Sequence, residues 1–154
     1  MKRKSLSIIL ALLIFTLFLS GCTTLFKEPT VEVSDIELAT INATDLQVNV
    51  TLDVQNPNFF GVTFQKITAD VYYLHDDYKP LSHIEKENVE ISSGENLVVL
   101  PVSAKNADLI RAGFRFILSG EITIKVEGIA EPSFFGISPH IPFNETKTIP
   151  LPRF

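Results

Sequence analysis

Two stretches of the chain alternate apolar and polar residues without a break. LQVNVTLDVQ, residues 46–55, has Leu or Val at every second position, and EITIKVE, residues 121–127, repeats the pattern with Ile and Val. Successive side chains of a strand point to opposite faces, so each stretch predicts a β-strand with one buried and one solvated face.

Other parts of the chain alternate less regularly, between clusters of Pro, Gly, Asn and Asp. These runs are residues 31–41, 62–74, 81–91, 96–103 and 146–151. Together with the two regular stretches they predict about seven short strands. Such a series, broken by turn residues, is typical of an antiparallel β-sandwich or β-barrel.

One segment has a helical period instead. NADLIRAGFRFIL, residues 106–118, places Ile110, Phe114 and Ile117 on one helical face. Asn106 can cap the start of a helix, and Ser119-Gly120 can end it. The pattern predicts one α-helix that packs over an open end or edge of the sandwich.

The first residues of the chain have the layout of an export signal. Three basic residues precede a long apolar run, and no charge occurs from Ser5 to Phe26. Leu19-Ser20-Gly21-Cys22 resembles the lipobox of prokaryotic lipoproteins, in which a peptidase cuts before a cysteine that carries a diacylglycerol. We therefore expect a signal peptide at 1–21, a lipid on Cys22, a tether at 22–30 and one domain at 31–154.

Two other interpretations of this leader stay open. About 20 apolar residues can cross a bilayer as an uncleaved helix, although the strongly apolar part stops at Leu19, and an ordinary cleaved signal has a similar layout. In the anchored cases the domain lies close to the membrane. Thr23 to Thr30 span no more than roughly 26 Å at about 3.3 Å per residue.

The charge balance argues against one class of partner. The leader contains three of the 13 basic residues and none of the 18 acidic ones, so the remainder of the chain is strongly acidic. Binding to phosphate groups relies on clustered Lys and Arg, so we expect no nucleic-acid partner.

An ordered set of short motifs resembles the late-embryogenesis-abundant type 2 family, also called the water-stress and hypersensitive-response domain. The motifs are LDVQNPN, ADVYY, NLVVLPVSA, DLIRAGFRFIL and SGEITIKVEG, and the resemblance covers roughly residues 33–151. It implies a fibronectin-like β-sandwich with a helix and a link to desiccation or other stress. It implies no defined ligand.

The Asn56-Pro57-Asn58 motif has a physical explanation of its own. Pro57 has no amide hydrogen and stops a strand ladder, while asparagine side chains can bond to nearby backbone groups in a turn. The motif therefore predicts a strand exit, with a binding role for the two asparagines as the alternative.

Another pattern, P-x-F-F-G-aliphatic, occurs twice. It covers residues 57–62 with Phe59 and Phe60, and residues 132–137 with Phe134 and Phe135. Phenylalanine is usually buried, so these side chains could close the ends of the core. The alternative is an exposed apolar lip that contacts an apolar ligand, a protein partner or the membrane.

Common catalytic and metal-binding motifs do not occur in the sequence. There is no Gly-x-Ser-x-Gly, Cys-x-x-Cys or His-Glu-x-x-His. His75-Asp76-Asp77 is the best metal candidate, but the stretch reads as a hairpin turn, and His83 and His140 have no evident partners. We expect no catalytic residue, no metal and no cofactor.

Three sequons for N-glycosylation stand at Asn42, Asn49 and Asn144, and they matter only in a host that uses them.

The sequence as a whole predicts a non-catalytic lipoprotein that is anchored outside the cytoplasm and protects against stress or stabilises the cell envelope. The alternative is an envelope module that binds an apolar ligand or a protein. In a double-membrane bacterium, Thr23 after the cysteine leaves the outer membrane open as a location.

Overall fold

The computed structural model describes residues 27–41, 45–104, 120–134 and 136–150. These residues form seven antiparallel β-strands in two sheets, joined by turns. The strands are β1 (Thr30–Ile41), β2 (Leu46–Asn56), β3 (Val62–His75), β4 (Asp77–Ile91), β5 (Gly94–Ala104), β6 (Glu121–Ser133) and β7 (Ile141–Pro150). One sheet has the order β1-β2-β5 and the other the order β4-β3-β6-β7.

The alternation in the sequence becomes the two faces of each sheet. In β2 every second side chain, from Leu46 to Asn56, is buried. β5 and β6 alternate in the same way over most of their length, and their inward residues pack against β2 and β3 between the sheets. The prediction of a mostly β, seven-stranded sandwich is confirmed.

The strand registers place three connections and the start of β1 at one end of the sandwich, which we call the corner end. Thr30 pairs with Gln55, Asn56 with Gly94, Val62 with Ile91 and Thr63 with Ser133. The corner end therefore holds the start of β1, the β2–β3 corner, the β4–β5 turn and the β6–β7 connection. The β3–β4 hairpin lies at the opposite end.

Three strand boundaries differ from the sequence prediction by four residues or more. β4 begins at Asp77 rather than Leu81, β7 begins at Ile141 rather than Thr146, and β6 ends at Ser133 rather than Glu127. The segments added to β4 and β7 each contain a proline, Pro80 or Pro142, which reads as a strand breaker. These two strands are sheet edges, where the missing amide hydrogen breaks no ladder on the open side.

The edge strands β4 and β7 are rich in charge. β4 carries Asp77, Lys79, Glu85, Lys86, Glu87 and Glu90, and β7 carries Glu145 and Lys147. Charged side chains and proline on an edge disfavour pairing with another chain.

The predicted helix at 106–118 lies outside the described residues. Within the ranges that the structure describes, no helix is long and apolar enough to span a membrane.

Candidate functional site at the corner end

The Asn-Pro-Asn motif forms the β2–β3 corner, which leads the chain from one sheet to the other. Asn56 is 1% exposed, and its amide group makes four hydrogen bonds within the protein. Nδ2 donates to the carbonyl oxygens of Phe60 at 2.8 Å and Ser92 at 3.2 Å. Oδ1 accepts from the backbone N and the Nδ2 of Asn58, at 3.2 and 2.9 Å. The side chain thus joins the corner to the β4–β5 turn.

The second asparagine of the motif holds the start of the domain. Asn58 is 5% exposed, and its Nδ2 donates to the carbonyl oxygen of Lys27 at 2.7 Å. Its Oδ1 accepts from the backbone N of Lys27 at 2.9 Å. Ser93 Oγ donates to the backbone oxygen of Asn58 at 2.5 Å. The side chain therefore binds both backbone groups of Lys27, as a neighbouring strand would.

These contacts use the amide groups of both asparagines inside the protein. A buried amide that is hydrogen-bonded to its own chain has no free group for a ligand. The geometry is that of a strand exit with side-chain bonds to backbone, which is the structural interpretation of the motif.

The two phenylalanines that follow the motif have different surroundings. Phe59 is 86% exposed, whereas Phe60 is half-buried and packs against the core. Their rings meet edge to face, with centroids 5.1 Å apart and an interplanar angle of 90°. The Phe59 ring therefore contacts the Phe60 ring, which packs against the core, and is itself exposed to solvent.

The second P-x-F-F-G pattern does not repeat this arrangement. Phe134 is only 7% exposed, so the lip hypothesis fails for this residue, and it belongs to the core. Its backbone N and O both bond to Ile137, at 2.8 and 2.7 Å, and close a tight turn. Ile137, at the other side of that turn, is 71% exposed. Phe135 lies outside the described residues.

A shallow groove lies beside the same end, between the start of β1 and the start of β7. Its volume is about 380 Å³, and it is lined by Glu28, Glu32 and His140 together with Val31, Ile141 and two prolines. His140 Nε2 lies 3.5 Å from Glu131 Oε1. Two carboxylates and an imidazole beside four apolar residues give this groove a mixed character.

The histidines do not gather into a metal site. Asp76 has a positive φ of 59° and forms the turn between His75 and Asp77, which pair as the last residues of the β3–β4 hairpin. His83 Nδ1 lies 2.7 Å from Asp70 Oδ1, a partner that the sequence did not reveal. Among the described residues there is no group of three or more His, Cys, Asp or Glu that could hold a metal ion.

Ion pairs link the strands on the outer surface. Lys147 of β7 bonds to Asp35 of β1 and so connects the two sheets. The hydrogen bond from Lys147 holds the pKa of Asp35 below its ordinary value of 3.8. In the same way, the bond from Lys66 lowers the pKa of Glu85, and that bond raises the pKa of Lys66. These carboxylates are poised to stay ionised, not to transfer protons.

The structure describes two of the three predicted glycosylation sites. Asn49 is half-buried on the outward side of β2, and Asn144 is exposed on β7. Cys22 and Asn42 lie outside the described residues.

Comparison with known proteins identifies the family. The family model described as late embryogenesis abundant protein matches residues 51–147, which is more than half of the chain. The chain belongs to the late embryogenesis abundant type 2 family. The matched part of this LEA domain runs from β2 to β7 and includes the Asn-Pro-Asn corner, and β1 precedes it.

A sequence relative of the LEA domain comes from an archaeon. An uncharacterized protein of Methanocaldococcus jannaschii is 29% identical over 126 residues, which cover 81% of this chain and 70% of the relative.

Two solved structures share the fold of the LEA domain. An Arabidopsis thaliana protein superposes with a TM-score of 0.63 at 15% identity and covers 87% of this chain and 89% of its own. A protein of Archaeoglobus fulgidus gives a TM-score of 0.54 at 9% identity and covers 80% of this chain and 96% of its own. Likeness at such low identity establishes the fold alone.

Proposed function

We propose that the protein is a lipoprotein, anchored through Cys22 outside the cytoplasm, whose LEA domain protects neighbouring surfaces by non-covalent contact when water is scarce. The observation that supports the protective role is how fully the polar and charged groups of the domain are paired. Within the described ranges every buried side-chain nitrogen and oxygen has a hydrogen-bond partner, and ion pairs lie on the edge strands β1, β4 and β7. Such a domain can stay folded while these edges present charged groups to their surroundings.

The proposed anchoring rests on the leader sequence. Leu19-Ser20-Gly21-Cys22 supplies the lipobox, and two acyl chains hold a protein on a bilayer far better than one. The proposed non-catalytic role rests on the surface chemistry. His83 pairs with Asp70 and His140 with Glu131, so each imidazole has one carboxylate beside it, as in ordinary surface pairs.

The test separates anchoring from protection. Mass spectrometry of the membrane fraction should show a mature chain that begins at an acylated Cys22, and Cys22→Ser should abolish the modification. An intact Met1 or an unmodified thiol would contradict the lipid anchor. Deletion of the gene should reduce survival after drying, and expression of the wild-type chain should restore it. Unchanged survival would contradict the protective role.

A second candidate function is a cell-envelope module that binds an apolar ligand or a protein. The observation in its favour is Phe59, an aromatic ring that is 86% exposed. Single exposed apolar residues are normal on protein surfaces. This observation alone therefore supports a binding module less strongly than the fully hydrogen-bonded interior supports the protective role. Copurification from native membranes in the ratio of one partner to one chain, lost in Phe59→Ser, would favour the binding module.

We also propose the fibronectin III class for the sandwich, over the immunoglobulin constant class. In the immunoglobulin constant arrangement the fourth strand joins the sheet of strands one, two and five. Here β4 pairs with β3 instead, and the sheet of β1, β2 and β5 has three strands.

A further inference from the structure

We propose that Phe59 and Ile137 form an apolar tip that enters the interface of the lipid bilayer and fixes the orientation of the anchored domain. This inference rests on the proposed acylation of Cys22. It goes further, because it assigns a lipid contact to the folded domain itself.

The first argument is the position of the exposed apolar residues. Among the described residues, Phe59 at 86% and Ile137 at 71% are the most exposed large hydrophobic side chains. Phe59 lies in the β2–β3 corner and Ile137 in the β6–β7 connection. Because Thr63 pairs with Ser133, both connections lie at the corner end of the sandwich.

The second argument is that the tether enters at this same end. Asn58 binds both the backbone N and the backbone O of Lys27, at 2.9 and 2.7 Å, so the root of the tether is held beside Phe59. Cys22 lies five residues before Lys27, and five residues span at most about 18 Å even when fully extended. A lipid on Cys22 therefore keeps the corner end close to the membrane surface, whereas the hairpin at the opposite end reaches that surface only if the domain lies on its side.

The third argument is that the tip is preformed. The Phe59 ring contacts Phe60, which packs against the core, and Ile137 is fixed by the two backbone bonds to Phe134. Exposed side chains held in this way enter an interface with little loss of conformational freedom.

The charges near the tip set the kind of surface that it fits. Lys27, Glu28, Glu95 and His140 are exposed at the corner end, and Glu28 and His140 line the same groove. Such a rim stays in the headgroup region and limits the depth of insertion, and the acidic domain is repelled by anionic lipid. The occupant that matches this tip is a zwitterionic bilayer surface. Two side chains alone are too few to hold a protein there, so the tip orients the domain while the acyl chains anchor it.

The chain contains no tryptophan, which permits a direct test. Phe59→Trp and Ile137→Trp each place a single fluorophore at the tip. Tyr78→Trp is the matched control, because Tyr78 is 44% exposed in the hairpin at the opposite end. Strand β3 runs from the corner end to the opposite end, and its segment from Val62 to Leu74 spans about 40 Å.

Each full-length, acylated variant is reconstituted into phosphatidylcholine vesicles with and without brominated acyl chains, which quench nearby tryptophan. We expect brominated lipid to reduce the emission of F59W and I137W about twofold or more and to leave that of Y78W unchanged. Far-UV circular dichroism of each variant should match the wild type, since all three positions are exposed.

Three outcomes would overturn the inference, and they can be told apart. If the chain does not float with the vesicles, the anchor itself fails, and the proposed function fails with it. If the chain floats but F59W and I137W are not quenched, the anchor stands and the lipid contact of the tip is wrong. Equal quenching of Y78W would show that the domain lies on the membrane without a preferred end.

Discussion

Asn56 should be the most sensitive polar residue of the corner, and Asn56→Ala tests this expectation. The substitution removes two donors and one acceptor from a side chain that is 1% exposed. The carbonyl oxygen of Phe60 loses its bond to Nδ2, and the backbone N of Asn58 loses its bond to Oδ1. The carbonyl oxygen of Ser92 keeps the bond from Asn96 Nδ2, and Asn58 Nδ2 keeps its bond to Lys27, so these two losses are partial.

The size of the effect follows from these broken contacts. Leaving a buried polar group without a partner costs about 1 to 3 kcal/mol, and groups that water can reach cost less. Two groups at about 1 kcal/mol each give a loss of about 2 kcal/mol in the free energy of unfolding. For a domain of this size that corresponds to a decrease in Tm of about 8 °C. With a slope of about 1.5 kcal/mol per molar urea, the unfolding midpoint should fall by about 1.3 M.

The assay is urea unfolding of the full-length chain in a mild detergent, followed by far-UV circular dichroism. Gln55→Ala is the matched control, because Gln55 is the adjacent residue of β2, is exposed, and bonds through its amide to Asp53 of the same strand. The control should stay within about 0.5 kcal/mol of the wild type. If Asn56→Ala unfolds at the same urea concentration as Gln55→Ala, the corner does not depend on this amide, and the structural role assigned to the motif is wrong.

Three further outcomes follow from contacts described above. Gly128→Ala should lower stability by about 1 to 3 kcal/mol in the same urea assay, because its β-carbon would collide with the ring of Phe143 and a backbone oxygen; an unchanged midpoint would contradict this packing. Lys147→Ala should lower the urea midpoint at neutral pH. Since Lys147 depresses the pKa of Asp35, its contribution is present above pH 3.8 and is lost as the pH falls further, so wild type and variant should converge in acid, and a constant difference would refute the pairing. Phe59→Ser should leave the midpoint unchanged, because the side chain is 86% exposed, and a clear loss would show that the ring is part of the core.

The strands could be predicted because a sheet that buries one face leaves a period of two in the sequence. β2 shows this most clearly, with buried side chains at every second residue. The edge strands were harder to delimit. Pro142 is tolerated in β7 only because that strand is an edge, and the position of a strand within a sheet is not encoded locally.

The contacts of the corner could be predicted only in part. The turn chemistry of Asn56 and Asn58 is local, but the bond from Asn58 to Lys27 joins residues 31 positions apart. The pair of His83 and Asp70 likewise depends on the register between β3 and β4, which the sequence pattern leaves open. Such partners become visible only when the fold is known.

The repeated P-x-F-F-G pattern shows how topology changes the meaning of identical residues. The first copy connects β2 to β3, which belong to different sheets, whereas the second connects β6 to β7, which are neighbours in one sheet. A chain that crosses between sheets must pass around the end of the core, and there Phe59 reaches solvent. A chain that turns back within one sheet can direct Phe134 inward.

The charged, proline-containing edges have a consequence for a crowded, drying environment. As water is withdrawn, neighbouring copies come closer together. Open strand edges would then be the first surfaces to pair with one another and form fibrils. On β4, the exposed carboxylates of Glu87 and Glu90 repel the same residues of another copy, and Pro80 offers an approaching strand no amide hydrogen. The same residues that make this edge hard to recognise as a strand would keep concentrated copies separate, so that rehydration returns individual folded molecules.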